Sequence, residues 1–163
     1  SGLPASSIYW HFKDKDELIA AVIERSFQSW IEAWERRVPE PDGATREEAF
    51  HANLQRIGRD LAGFPDFLRL GLMLVLEHRP QEPTARQRFI EVRRVVRRRL
   101  QALFEMHFDR LSVDDVSSLV ALTLAMADGF FVARDADGLD LGEAFDLMAT
   151  AILGTAGLMS EKG

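Results

Sequence analysis

The feature that most limits how this chain can fold lies near its end, in two helix-length stretches almost without charge. Leu119 to Ala133 holds one charged residue, Asp128, and Leu147 to Met159 holds none. A helix that covers one side of its own domain needs an apolar stripe, not an apolar circumference. The economical reading is that each buries one face in its own subunit and another against a partner, most simply a two-fold copy. Both helices at the centre of a monomeric bundle is the alternative. Leu124, Phe131, Phe145, Met148, Ile152 and Thr155 are the candidate interface residues, and Ala149, Ala151, Gly154, Ala156 and Gly157 are small enough to admit a close helix. No uninterrupted apolar run reaches the roughly 18 residues of a membrane span, so no membrane partner is expected.

The rest of the chain also reads at helical spacing. Only 6 prolines and 11 glycines punctuate 163 residues, and the β-branched alternating runs of strands are missing. The expected class is all-α, with seven helices. A short one spans about 5–12, begun by Pro4, and a long one about 15–37, with Asp14 as N-cap and Glu17 three residues on. The latter carries the stripe Ile19, Ile23, Phe27, Trp30, Trp34, with Leu18 and Val22 on a neighbouring face free to pack on the short helix. Thr45 and Glu48 form a capping box for a helix over about 45–62, whose inward residues are Phe50, Leu54, Ile57 and Leu61. Phe67 to Leu76 is so apolar that it should be covered on most sides. A helix over about 84–109 follows with Phe89, Val92, Val96, Leu100, Leu103 and His107 inward. Ser112 with Asp115 caps the first charge-poor helix, and Asp135 to Asp140 is expected as the loop before the second.

A net charge of −6 excludes a basic wrapper of nucleic acid, so any DNA contact must be local. The absence of cysteine removes disulfides, thiolate zinc sites, iron–sulfur clusters and a cysteine nucleophile. It also fits a reducing interior, and the expected location is cytoplasmic. The start lacks the basic-then-apolar layout of a signal peptide. The first residue is Ser1, and the sequence opens inside what reads as a turn, as a chain continuing upstream would.

That opening, Ser1 to Leu18, carries the chemistry. A glycine turn leads into a helix of barely two turns whose Ile8 and Phe12 face inward. Ser6, Ser7, Tyr9, Trp10 and His11 cover much of the remainder. Aromatics and an imidazole on a polar helix suit phosphate, thymine-methyl and base-edge contacts in a major groove. Lys13 and Lys15 follow, and Lys15 stands at a helix N-terminus, where the dipole favours a phosphate.

Gly2 through Leu18 resembles the end of the helix-turn-helix in the tetracycline-repressor (TetR) family of transcriptional regulators. The shared pattern is a turn glycine, a short recognition helix, aromatic–aromatic–His–Phe, Lys-x-Lys and an acidic Glu-Leu start to a connecting helix. It covers about a tenth of the chain; beyond it the likeness is one of layout. The resemblance implies that residues 1–14 end a DNA-binding domain, two earlier helices of which precede this sequence. Residues 15–163 would then be the connecting helix and a ligand-binding and dimerisation domain. It implies a homodimeric regulator, a repressor, released from a palindromic double-stranded operator by a small apolar effector. Pro4, Ala5, Ser6, Ser7, Tyr9, Trp10, His11 and Lys15 would lie against DNA, Tyr9 and Lys15 on phosphates, and Ser7, Trp10 and His11 towards the groove. Pro4 stands where the family often has a polar cap, and Ala5 where it has a longer side chain, so direct readout from Ala5 should be weak. Tyr9, Trp10 and His11 packed against the preceding helices is the alternative.

The implied effector cavity would draw on Trp34, Phe67, Leu70, Met73, Leu74, Val96, Phe104, Thr123, Met126 and Phe130, each also explicable as plain core. A chain with 11 Phe and 5 Met suits a bulky, mostly apolar effector. No cofactor or metal is expected: Glu48-Ala-Phe-His51 has a di-iron spacing, but such sites need two copies, and in Asp135–Asp140 the glycine falls fourth where a calcium loop requires it sixth. No nucleophile triad, phosphate loop or dinucleotide fingerprint appears, so no enzyme is expected. Arg93, Arg94, Arg97, Arg98 and Arg99 crowd seven residues, with Glu91 placed to support Arg94. They read as a solvated face with acidic neighbours from other helices, or as a site for an anionic ligand or acidic partner. The rival functional reading is a dimeric helical sensor or interaction module that binds no DNA of its own.

Overall fold

Local capping chemistry sets where the helices begin. A computed structural model describes residues 14–36, 43–63, 66–77 and 83–161, and among these there are six helices and no strand. Helix α1 (Lys15–Glu35) starts where the Asp14 carboxylate accepts a hydrogen bond from the Glu17 amide at 2.9 Å. At α2 (Arg46–Gly63) Thr45 Oγ1 accepts from the Glu48 amide at 3.2 Å, while the Glu48 carboxylate accepts from the Thr45 amide at 2.8 Å. Those donors, the Thr45 amide first and its hydroxyl second, hold the Glu48 carboxyl below its ordinary pKa. After α3 (Asp66–Leu76) and α4 (Pro83–His107), Ser112 and Asp115 close a second reciprocal box at α5 (Val113–Asp137). Asp140 caps α6 (Leu141–Ser160).

Two features differ from the sequence expectation. The acidic segment after Arg134 is not all loop: α5 runs on to Asp137 and stops at Gly138, whose φ of +73° lies in the left-handed region that glycine adopts without strain. Phe67 to Leu76 is less covered than its composition suggests. Phe67, Leu68, Gly71 and Leu74 turn inward, but Met73, Val75 and Leu76 are exposed, Leu76 at 75%. The helix expected at about 5–12 lies outside the described residues.

The packing closes on itself. α1 lies along α4, α4 against α5, α5 against α6, α6 against α2, and α2 back against α1, while α3 is wedged among α1, α4 and α5. Each helix contributes one stripe to the interior, since residues three and four apart share a face. Ile23, Phe27 and Trp30 of α1 are buried, with Ile19 and Trp34 half-buried; Phe50, Leu54, Ile57 and Leu61 of α2 and Phe89, Val92, Val96 and Leu100 of α4 meet them. His107 ends the α4 stripe, buried, its Nδ1–H donating to the Leu103 carbonyl at 2.7 Å. Two glycines permit the tightest approaches. A Cβ on Gly71 would lie 2.0 Å from the Phe89 ring, and one on Gly58 would lie 2.3 Å from the Phe145 ring.

Candidate functional site

At the centre of the ring is a cavity of about 50 Å³ to which all six helices contribute. Its wall is almost wholly apolar because it is made by the inward stripes themselves. Trp30 and Trp34 come from α1, Leu54, Ile57 and Leu61 from α2, Phe67 and Leu68 from α3, and Phe145 and Met148 from α6. Three features are not apolar. Thr123 Oγ1 donates to the Leu119 carbonyl at 2.8 Å. Arg93 and Asp128 form a two-bonded pair at 2.8 and 2.9 Å, with side chains 31% and 25% exposed. The Arg93 guanidinium also sits 5.7 Å above the Phe89 ring. The indole N–H of Trp30 is buried and has no acceptor among the described residues. A buried donor left unbonded costs on the order of 1–3 kcal/mol, so this one calls for an explanation beyond packing.

Side-chain hydrogen bonds to three other helices fix α1, which supplies the two tryptophans. The Asp16 carboxylate accepts from the Thr84 and Ala85 amides, both at 3.0 Å, and so caps α4 from a distance in sequence. Ser26 Oγ accepts from the Phe67 amide at 3.2 Å, near the start of α3. The Arg56 guanidinium donates to the Ala33 and Trp34 carbonyls at 3.3 and 3.0 Å, closing the C-terminal end of α1. Thus α1 begins directly after the segment with the groove-type side chains and ends as a wall of the cavity.

Of the residues expected around an effector, Trp34, Phe67, Val96 and Thr123 line this cavity. Phe104 does not: it packs with Phe50, His107 and Phe108 in a separate aromatic cluster, 5.0 Å from the Phe50 centroid. Leu74 is buried outside the lining, Leu70, Met126 and Phe130 are half-buried against the core, and Met73 is 51% exposed. The sequence reading missed Trp30, Phe89, Arg93 and Asp128. Trp30 and Phe89 were readable as inward positions, but the Arg93–Asp128 pairing joins residues 35 apart and left no local signal.

The charge-poor helices turn the opposite way from the expectation. Leu124, Phe131, Phe145, Met148 and Ile152 are buried within the subunit and Thr155 is half-buried. The largest side chains bury the most area and so face the core. The outward stripes are Ala121, Leu122, Ala125, Gly129 and Val132 on α5 and Leu147, Ala151, Gly154 and Leu158 on α6. Among the described residues, a Cβ on Gly129, Gly154 or Gly157 would meet nothing within 4 Å. By length and composition α5 and α6 could each also cross a membrane, although neither contains an uninterrupted apolar run of that length; both are partly buried inside the bundle.

Pro4, Ala5, Ser6, Ser7, Tyr9, Trp10 and His11 lie outside the described residues. Lys15 is exposed in the first turn of α1, beside Asp16 and Glu17. The Glu17 amide is already taken by Asp14, so Lys15 offers a phosphate its own charge more than free helix amides. Leu18 is half-buried and Val22 is 37% exposed. Glu91 pairs with Arg88 at 3.0 Å rather than with Arg94, and Arg99 pairs with Glu35. Among the described residues no group of three or more carboxylate or histidine side chains could hold a metal. His51 instead pairs with Asp146 at 3.2 Å. Comparison with known proteins gave no match, whether to a family model, a curated protein or a solved structure.

Proposed function

We propose that this chain is the connecting helix, sensor and dimerisation part of a DNA-binding transcriptional regulator of TetR type. In this reading it is a repressor released from a palindromic operator by a small effector. One observation carries the reading: a single helix, α1, runs from the recognition-type segment at its start to the cavity wall at Trp30 and Trp34. The almost wholly apolar wall of the cavity supports an effector whose enclosed part is apolar. Its binding shifts α1, and with it whatever packs on Leu18 and Val22 at the start of that helix. The effector acts through its different affinity for two arrangements of the dimer.

The dimer forms through the outward stripes of α5 and α6, where alanines and open glycines let helices approach and Leu122, Val132, Leu147 and Leu158 supply apolar area. The two recognition helices then enter successive major grooves about 34–36 Å apart. The protein catalyses no reaction and works in the cytoplasm. The test is a titration of the protein, with its preceding residues, against DNA from upstream of its own gene. Lys15→Ala and Tyr9→Ala should each weaken binding and lower the salt slope by about one phosphate contact. Unchanged affinity at matched salt would overturn the assignment to DNA. A dimer that binds effector but no DNA would favour an interaction module. Insertion of α5 and α6 into lipid vesicles would overturn the dimer face.

A further inference from the structure

The arginine run on α4 is only partly neutralised. Arg93 is held by Asp128 and Arg99 by Glu35, whereas Arg86, Arg94 and Arg97 are exposed and have no carboxylate partner among the described residues. These three are not scattered over a solvated face. They line one groove of about 350 Å³ between α3, α4 and α5, with Leu72, Val75 and Ile90 as its apolar floor. Three guanidinium groups lining one groove leave its positive charge uncompensated, and an apolar floor exposed to water is unfavourable; one ligand with an anionic head and an aliphatic body would relieve both.

The groove and the central cavity share a wall. Phe89, Leu124 and the Arg93–Asp128 pair face both spaces. A cavity of about 50 Å³ holds only a few heavy atoms, whereas the outer groove is of ligand size. The partition between them combines buried Phe89 and Leu124 with this partly exposed ion pair, and an incoming anion can compete for its arginine.

We propose that the groove is the headgroup site for an anionic amphiphile, a carboxylate or phosphate on an aliphatic chain. Arg86, Arg94 and Arg97 hold the head, and the chain passes the Arg93–Asp128 pair into the cavity. This rests on the cavity being the effector site and names the effector's class. Binding of the head draws Arg93 from Asp128, which opens the partition and enlarges the inner space for the chain.

The test is calorimetric titration of the full chain, below micelle-forming concentrations, with decanoate, decyl phosphate, decan-1-ol, butyrate and inorganic phosphate. Decanoate and decyl phosphate should bind at least tenfold more tightly than decan-1-ol, with affinity falling as salt rises. From butyrate to decanoate, affinity should climb by up to about fourfold per methylene. The double variant Arg94→Ala/Arg97→Ala, altered only at exposed positions, should lose about tenfold for decanoate and leave decan-1-ol within twofold. Decan-1-ol binding as tightly as decanoate, no dependence on Arg94 and Arg97, or inorganic phosphate matching decyl phosphate would each overturn the proposal. So would binding to phosphatidylglycerol vesicles without binding to monomeric decanoate. Arginine-dependent decanoate binding by a protein that ignores DNA would uphold this site and sink the regulator. Operator release by a neutral compound, indifferent to Arg94 and Arg97, would do the reverse.

Discussion

Replacing Gly154 by alanine gives opposite signs for a lone and a paired α6. Among the described residues nothing lies within 4 Å of the new methyl group, and the residue sits in the middle of a helix. In a monomer the change should therefore stabilise, by about 0.5–1 kcal/mol, because glycine loses more backbone freedom on folding. For a domain of this size that raises the melting temperature by roughly 1–4 °C. If the outward stripes pair across a two-fold axis, the methyl instead enters a helix–helix contact. Overpacking costs about 1–3 kcal/mol at each site, and symmetry places two sites in every dimer. The sum, about 2–6 kcal/mol, weakens the dimer at least about 30-fold. Sedimentation equilibrium over a wide concentration range reads the dissociation constant, and melts at two concentrations separate the terms. A variant that is more stable, with an unchanged dimer constant, would refute the pairing of this face.

Gly58→Ala should show the opposite balance inside one subunit. Its methyl would lie 2.3 Å from the Phe145 ring, so a loss of about 1–2 kcal/mol should remain after the helix gain, and Phe145→Leu in the same chain should cost less than the two changes summed. Asp16→Ala should remove about 1 kcal/mol in urea unfolding and speed hydrogen exchange at the Thr84 and Ala85 amides, which lose their acceptor. Glu48→Gln should cost stability at neutral pH and nothing in acid. The Glu48 carboxyl is lowered in the folded state, so its contribution is complete above its unfolded pKa and disappears as pH falls through the folded value. Unfolding curves at about pH 7 and pH 3 that differ equally from those of the parent would contradict this.

The helices were legible because their starts depend on residues three apart: Asp14 with Glu17, Thr45 with Glu48 and Ser112 with Asp115 read the same in sequence and in structure. The inward stripes of α1, α2 and α4 were legible for a similar reason, since charged residues mark their outer faces. No such contrast exists in α5 and α6. A helix apolar all round has no phase to read, and the interface was assigned to Phe131, Phe145, Met148 and Ile152, which the core claims. Residue size was only a partial signal: Phe131, Phe145, Met148 and Ile152 went in, but so did Ala144, Ala149 and Ala156, while Leu147 and Leu158 stayed out. The cavity was half visible, as Trp34, Phe67, Val96 and Thr123, because aromatic stripes mark an interior but not the gap within it. What closes the gap is long-range. Asp16 reaches Thr84, Arg56 reaches Trp34 and Arg93 reaches Asp128, and no window of sequence contains either end of such a pair together with the other.

The fastening of α1 at Asp16, Ser26 and Arg56 governs how the molecule can respond to anything that enters beside Trp30. Hydrogen bonds near 3 Å fade within an ångström of stretch, and each releases an amide or carbonyl that must then find water or a new mate. A ligand that displaces α1 as proposed would first have to break one or more of these bonds, so the movement of the helix is expected to come in steps instead of in proportion to the push.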